Sequence, residues 1–539
     1  MNQKLKKSNS ISADILLHNG VFITMDPARP EATALAIKNT LILWVGDQNE
    51  MDDWKGQGTR TIDLKGCCVY PGFIDTHMHV LYTGLVKSYL QLQECLDKST
   101  IISKVKEYVK ICQKDEWIFG IGWDDHHWSK KTVLHAADLD AVAPHHPVVL
   151  RRSDTHLIWV NSLVLKLAGI DAKTTEPAGG KIERDPAGNP TGILIDSAMG
   201  MVHDVIPICS FQQRVQIIQN TLEDCLQKGI TTVHNASTDE SDFQSFKQLA
   251  SENRLKVRIY LMGAVRHKED IQLWKGSPQT YSPFLQQCCL KLWMDGALGS
   301  RGAALFEPYE DDGNNCGHLL WEKEDLLPIL QQAKFKGFQV AIHAIGDRAI
   351  QCVLDAYEKL GVKGLRWRIE HAQQIAHADI KRFAELEVIA AMQPLHATAD
   401  MAWIKERLGK KRIESGAFMW RSLLDSGAMI VGGSDAPVVD ANPLWGIYAA
   451  ITRQDHHQFP EKGWYPKQKV TREEALKIYT IDAAYACFRE NELGSLTPGK
   501  LADLVVLPEN LLTCEPKAML NMKVIYTIVN GKIVFERNG

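Results

Sequence analysis

The segment Pro71-Gly-Phe-Ile-Asp-Thr-His-Met-His79 ends an apolar run with two histidines at i and i+2. In an extended strand that spacing puts His77 and His79 on one face, with Asp75 two places before them. Two imidazoles on one face can reach a single metal ion. Taken alone, the triplet reads equally well as two loop histidines, because the chain has 19 histidines. Three further runs end the same way. Val340-Ala-Ile-His343 and Arg368-Ile-Glu-His371 each close on a histidine, and Met429-Ile-Val-Gly-Gly-Ser-Asp435 closes on an aspartate. A barrel gathers its catalytic rim from polar residues at the ends of several strands. Any one of these histidines could be a buried, hydrogen-bonded core residue, but their joint placement points to metal chemistry.

Lys291 interrupts Cys289-Leu-Lys-Leu-Trp-Met294, an otherwise apolar strand. Alternation places it on the face of Trp293 and Asp295. If that face lines a barrel, an unpaired ammonium would cost several kcal/mol, so the group must be altered or paired. Reaction with CO2 gives a carbamate, an anion able to bridge two cations. The alternative is a salt bridge to Asp295 or another barrel carboxylate.

These residues need a scaffold that brings strand ends together. Candidate strands are 69–76, 230–234, 257–262, 290–295, 339–343, 367–371, 388–393 and 429–434, with helix-like segments such as 243–252 and 326–336 between most of them. Eight strands with intervening helices imply a (β/α)8 TIM barrel. The stretch from Tyr82 to Lys228 is too long for one crossover. It predicts an inserted α+β subdomain over the barrel mouth, at about 115–205, with a hairpin across 179–193. Both ends read as β structure, with Asn19-Gly20 and Asn530-Gly531 as hairpin turns. Residues 1–68 and 486–539 are therefore expected to form one composite β-sandwich domain, and 69–485 the barrel with its insert.

With 539 residues, 45% of them hydrophobic and 23% charged, the chain has the usage of a large globular protein. A net charge of -4 without long charged blocks gives no footprint for nucleic acid. No apolar stretch spans a bilayer, and the polar segment Met1 to Ser12 reads as a loose tail rather than a secretory signal. The twelve cysteines sit mostly in apolar segments, so a reducing cytoplasm is expected and a disulfide framework is not.

The combination resembles the amidohydrolase superfamily, and more narrowly the family 3 group that includes N-substituted formamide deformylases. The resemblance spans nearly the whole chain. It is carried by the His77/His79 pair after Pro-Gly-Phe-Ile-Asp, Gly122-Trp-Asp-Asp125, Arg152-Ser-Asp-Thr-His156, Lys291-Leu-Trp-Met-Asp-Gly-Ala-Leu-Gly-Ser300, His343-Ala-Ile-Gly-Asp347, Gly433-Ser-Asp-Ala-Pro437 and Gly494-Ser-Leu-Thr-Pro-Gly-Lys-Leu-Ala-Asp503. One departure is Thr155, where the group commonly has glycine. The resemblance implies that His77 and His79 hold a buried metal, His343 and His371 a more exposed one, and carboxylated Lys291 bridges both. Asp435 would bind the first metal and face the attacking water.

Two divalent ions, with Zn2+ suited to such ligands, would lower the pKa of a shared water and supply hydroxide. Asp435 would take the proton and pass it to a departing nitrogen. The expected activity is hydrolysis of a C–N bond in an amide or N-substituted formamide of small-molecule size. Deamination or ester hydrolysis on the same site, and an inactive binding relative, are the alternatives. Trp123, His156, Gln393 and His396 are candidate substrate contacts, and Asp347 a candidate partner that orients a ligand. His234 reads as structural. A homodimer is the expected assembly.

Overall fold

The computed structural model describes residues 11–125, 128, 132–152, 157–177, 180–207, 209–274 and 276–537. They form two compact units, one of residues 1–81 with 214–539 and one of residues 82–213.

The first unit contains a parallel barrel. Its strands are β1 (Phe73–Met78), β2 (Ile230–Thr238), β3 (Arg258–Ala264), β4 (Leu285–Trp293), β5 (Gln339–Ala344), β6 (Arg368–His371), β7 (Ile389–Met392) and β8 (Ile430–Gly432). They are hydrogen-bonded in sequence order. A parallel bridge between Met78 and Ala436 brings β1 back to the end of β8. Asp435 N donates to His77 O at 2.7 Å and His79 N to Ala436 O at 2.9 Å across the same seam. This is a (β/α)8 TIM barrel, and the seam is where the candidate ligands of β1 and β8 meet.

The helices around it follow their sequence signals. Asp347–Leu360 buries Ala349, Ile350, Val353, Leu354, Ala356 and Tyr357, an i, i+3, i+4 stripe, and stops at left-handed Gly361. Glu240–Ser251 starts at Asp239, whose side chain accepts from Asp242 N.

The two ends of the chain meet in one sheet. Ile15–Ile23, Glu31–Lys38, Leu41–Gly46, Arg60–Asp63 and Cys68–Pro71 join Leu504–Leu507, Tyr526–Val529 and Lys532–Glu536, with Cys68–Pro71 pairing with Leu504–Leu507. The expected strand 69–76 is two strands, Cys68–Pro71 in this sheet and β1 in the barrel. Gly72 divides them. Its N–H bonds to Asp503 O, and a Cβ there would lie 2.3 Å from the Thr231 side chain. Asn19-Gly20 is also not a hairpin turn. Residues Ile15–Ile23 form one strand against Glu31–Ile37, with an irregularity between His18 and Phe22. An Asn-Gly pair supplies a positive φ, which a bulge can use as well as a hairpin; Asn19 sits at φ 55. Asn530-Gly531 does make the hairpin joining Tyr526–Val529 to Lys532–Glu536.

The second unit is a mixed sheet in the order Gly180–Arg184, Pro190–Asp196, Leu157–Val160, Val148–Arg152, Ile118–Trp123 and Leu90–Gln91. It starts before and ends after the segment 115–205 singled out above, because Leu90–Gln91 pair with Gly120 and Ile121. All twelve cysteines are free. Among the described residues, no helix is long and apolar enough to cross a membrane.

Within the first unit one ion pair ties sheet to barrel. Arg258 on β3 grips Asp503 at 2.6 and 2.9 Å, and Asp503 also accepts from Asn530 N at 2.7 Å. Both side chains are almost fully enclosed. Removing one member of a buried pair leaves the other charge uncompensated, at about 3–5 kcal/mol. Arg258→Met should therefore lower the unfolding free energy extrapolated from urea titration by an amount of that order, seen as a lower midpoint at unchanged slope. A midpoint unchanged from wild type would show that the pair does not hold the two together.

Candidate metal centre

His77, His371 and Asp435 are buried, and one ligand atom from each lies within 4.8 Å of the others. His79 Nε2 is 3.1 Å from Asp435 Oδ1, and Lys291 Nζ is 3.3 Å from His77 Nε2. The His343 ring lies 4.5 Å from that of His371. The structure thus gathers all six residues expected to be ligands at the C-terminal ends of β1, β4, β5, β6 and β8. Imidazole nitrogens converging on a carboxylate form a donor set suited to divalent transition ions, so the residues fit a metal.

The backbone at the rim leaves strand geometry. His371 and Ala372 have φ 72 and 45, and Asp435 has φ 58. Alternation therefore does not dictate where these two ligand side chains point. At Gly433 a Cβ would lie 2.7 Å from His77 N and 3.1 Å from Asp75 Oδ1, so β8 can approach β1 closely only with glycine there. Asp75 is no ligand. Its Oδ1 accepts from His77 N and Ser434 N, stitching β1 to β8.

Each central imidazole has a partner that fixes its tautomer. His77 Nδ1 donates to Glu370, which takes two hydrogen bonds from Arg368 at 2.7 and 3.0 Å. His371 Nδ1 donates to Gln393 Oε1 at 2.8 Å, while Gln393 Nε2 is spent on Ala391 O. Both Nε2 lone pairs are left for a metal. Glu370 and Arg368 were passed over in the sequence, where only His371 of Arg368-Ile-Glu-His371 was singled out. Two opposite charges at i, i+2 in a barrel strand were the available signal.

Electrostatics follow from enclosure. Burial drives the His77 imidazole down to about 4, with the Lys291 ammonium acting the same way. His343 goes down to about 3, again through burial and then Lys291, and burial puts His371 well below the ordinary range. These imidazoles are neutral, as ligands must be. Burial works against the charges of Glu370 and Asp435 but is outweighed. Arg368, and the hydrogen bond from His77, bring Glu370 down to about 2, and the hydrogen bond from His79 favours the ionised form of Asp435, held well below the carboxylate range.

Burial lowers Lys291 to about 8, opposed by Glu370 and Asp435. Its nearest polar contacts are His77 and the Trp293 ring, and it forms no salt bridge among the described residues. Asp295 is engaged elsewhere. It accepts from the backbone N–H groups of Ala304, Ile345 and Gly346 at 2.8–3.0 Å. His343 Nε2 approaches Asp295 Oδ1 only to 3.5 Å, and burial raises that carboxyl to about 7, so the contact is not an ion pair.

The remaining candidates separate. Trp123 belongs to the core of the second unit, wholly buried beside Trp128 and Trp159, with Nε1 donating to Leu150 O at 3.2 Å. His156 lies outside the described residues. Gln393 has a hydrogen bond on each polar atom, and its Oε1 orients His371. Asp347 orients no histidine; it accepts from Phe306 N at 3.0 Å and from Arg348 N, anchoring the loop after β4. His396 is at the site, with Nε2 3.9 Å from Asp435 Oδ2. His234 is buried under the cluster and accepts from Arg368 Nη1 at 3.0 Å.

Residues 60–535 match the model of the amidohydrolase family. The chain is 36% identical to the LONG AFTER FAR-RED 3 protein of Arabidopsis thaliana over 97% of this chain and 92% of that one. It is 26% identical to the N-substituted formamide deformylase of Arthrobacter pascens over 98% and 99% of the two chains. Among solved structures, an uncharacterised metal-dependent hydrolase of Pyrococcus horikoshii superposes with a TM-score of 0.79 at 26% identity, covering 93% of this chain and 99% of that one.

The neutral histidines carry a pH signature. The unfolded chain protonates His343 near the ordinary value of 6.5, whereas the folded metal-free protein resists until about 3. Its contribution is complete above 6.5 and is lost as pH falls through that interval, at about 1.4 kcal/mol per pH unit. Between pH 6.5 and 4, the stability of metal-free His343→Gln should fall less steeply than that of metal-free wild type in urea titrations. Parallel slopes would mean that His343 titrates normally.

Proposed function

From the premise that this chain belongs to the amidohydrolase family, we propose that it hydrolyses the C–N bond of an amide, with N-substituted formamides as the first class to test. The family and the metal-dependent relatives make it a hydrolase. The choice of bond leans on the deformylase resemblance along the whole chain, and on a carboxylate placed to manage a proton. The observation that carries the reading is Asp435, ionised and buried among His77, His79 and His371.

In this reading His77 and His79 would hold one divalent ion and His343 and His371 another, zinc being the ion such ligands favour. Bound there, the ions supply Lewis acidity and ionise water near neutral pH. Lys291 is the proposed bridge, as a carbamate made from its amine and CO2 with loss of a proton. Its burial without a salt-bridge partner among the described residues supports this assignment, because a carbamate would remove the buried cation and place an anion among the imidazoles.

The protein's own groups then move one proton. Asp435 accepts it from the water whose oxygen bonds to the carbonyl carbon, and returns it to the nitrogen as the C–N bond breaks. One water is consumed, and an acid and an amine are formed. Glu370 and Gln393 hold the His77 and His371 rings with their Nε2 atoms inward throughout.

Metal content per chain tests the bridge, and release of 4-nitroaniline from 4-nitroformanilide tests the bond. Wild type purified without chelators should carry about two metals, and Lys291→Ala clearly fewer, with turnover lower by about a thousandfold or more. Equal metal content in both proteins would remove the bridge. Turnover of 4-nitrophenyl acetate with none of the formanilide would remove the amide assignment.

A further inference from the structure

We propose that His396 donates the hydrogen bond that receives the negative charge developing on the substrate's carbonyl oxygen, a role that rests on the hydrolytic reading above. His396 lies on the helix Pro394–Asp400, immediately after β7. Its Nδ1 accepts a hydrogen bond from Gln373 Nε2 at 3.3 Å. A neutral imidazole that accepts at Nδ1 carries its proton on Nε2. That Nε2–H is buried and has no hydrogen-bond partner among the described residues. It faces Asp435 Oδ2 across 3.9 Å, beyond hydrogen-bond reach.

The His396 ring lies parallel to that of His371, with centroids 6.1 Å apart and planes 7° apart. The donor is therefore held beside the candidate metal ligands and next to the group that would take the proton from water. A buried donor without an acceptor is costly, and folded proteins seldom keep one without a use. No described residue supplies its acceptor, and an atom from outside the chain would fill that place. In amide hydrolysis the carbonyl oxygen is such an atom, and it gains charge as water adds to the carbon.

A departing amine nitrogen fits less well, because it must accept a proton from Asp435 rather than a hydrogen bond from His396. The nearby carboxylate does not oppose the role. When charge reaches the oxygen, Asp435 has already taken the proton of water and is neutral. His396 thus differs from His77 and His371 in the sense of its Nδ1 hydrogen bond. Theirs donate and leave bare Nε2 atoms for metal, whereas its own accepts and leaves an Nε2–H for substrate.

The test uses metal-reconstituted full-length protein, wild type, His396→Phe and His396→Gln. Phenylalanine keeps the ring and loses the donor, and glutamine restores an N–H near the Nε2 position. Readouts are metal per chain, kcat and KM on 4-nitroformanilide, and calorimetric binding of methylphosphonate, a tetrahedral anion that resembles the adduct. His396→Phe should keep its metal and thermal midpoint, lose about 100- to 1,000-fold in kcat with KM little changed, and bind methylphosphonate about tenfold more weakly. His396→Gln should recover part of both losses. Metal loss in His396→Phe would make the residue a ligand, and equal losses in both variants with a lowered midpoint would make it structural; either overturns the proposal. If wild type is inert to the formanilide, the amide assignment fails. The donor role then stands if methylphosphonate binding still weakens in His396→Phe, and falls if that binding is unchanged or absent in wild type.

Discussion

Glu370 is the charge on which the centre of the barrel depends. It is inaccessible to water, and such a carboxylate persists only if cations and N–H donors surround it. Arg368 supplies two hydrogen bonds from the same strand and His77 a third from across the barrel. Arg368 is bound in turn by Thr76 O and His234. Strands β1, β2 and β6 are thereby locked through one anion, and the His77 ring is fixed with Nδ1 protonated and Nε2 turned inward. Removing the carboxylate would strand a buried guanidinium and free the ring, so stability and ligand geometry rest on the same atoms.

Around that anion the site is rich in groups unable to carry charge alone. His77, His343 and His371 are pressed into the neutral form by burial, and Lys291 sits against His77 and Trp293 with no salt bridge among the described residues. Crowding lone pairs and an ammonium beside Asp435 gains little in a metal-free protein. The same crowding would be favourable if, as proposed, cations sat among the lone pairs and the lysine were a carbamate. The arrangement has the character of a site whose folding is completed by its ligand.

The sequence disclosed those parts that obey simple periodicity. Strand ends at His77, His343, His371 and Asp435 were readable because each closes an apolar run, and Lys291 because a charge interrupts one. The barrel and the composite terminal sheet followed from the same alternation. What escaped depends on contacts between distant segments. Gly72 splits one expected strand into two because Thr231 and Asp503 close in on it. Asn19-Gly20 bends a strand instead of reversing it. Trp123 was a candidate substrate contact, and the packing of Trp128 and Trp159 around it puts its ring in a core. Gln393 was a candidate substrate contact and Asp347 a candidate partner of a ligand, and their hydrogen bonds go to His371 and to the loop at Phe306.

That last difference bears on how a histidine-rich site assigns roles among chemically identical rings. Identity and strand position cannot do so, since His371 and His396 lie stacked with nearly parallel planes. The partner at Nδ1 can. An acceptor such as the Gln393 carbonyl oxygen or the Glu370 carboxylate draws the proton to Nδ1 and leaves a lone pair at Nε2. A donor such as the Gln373 amide nitrogen does the reverse. One amide turned the other way would thus convert a ligand into a donor. The Gln393 amide is in turn set by a main-chain neighbour, its Nε2 donating to Ala391 O. The division of labour in the site therefore traces to hydrogen bonds one layer behind the imidazoles, and at Gln393 the barrel backbone itself decides which face of the amide is shown.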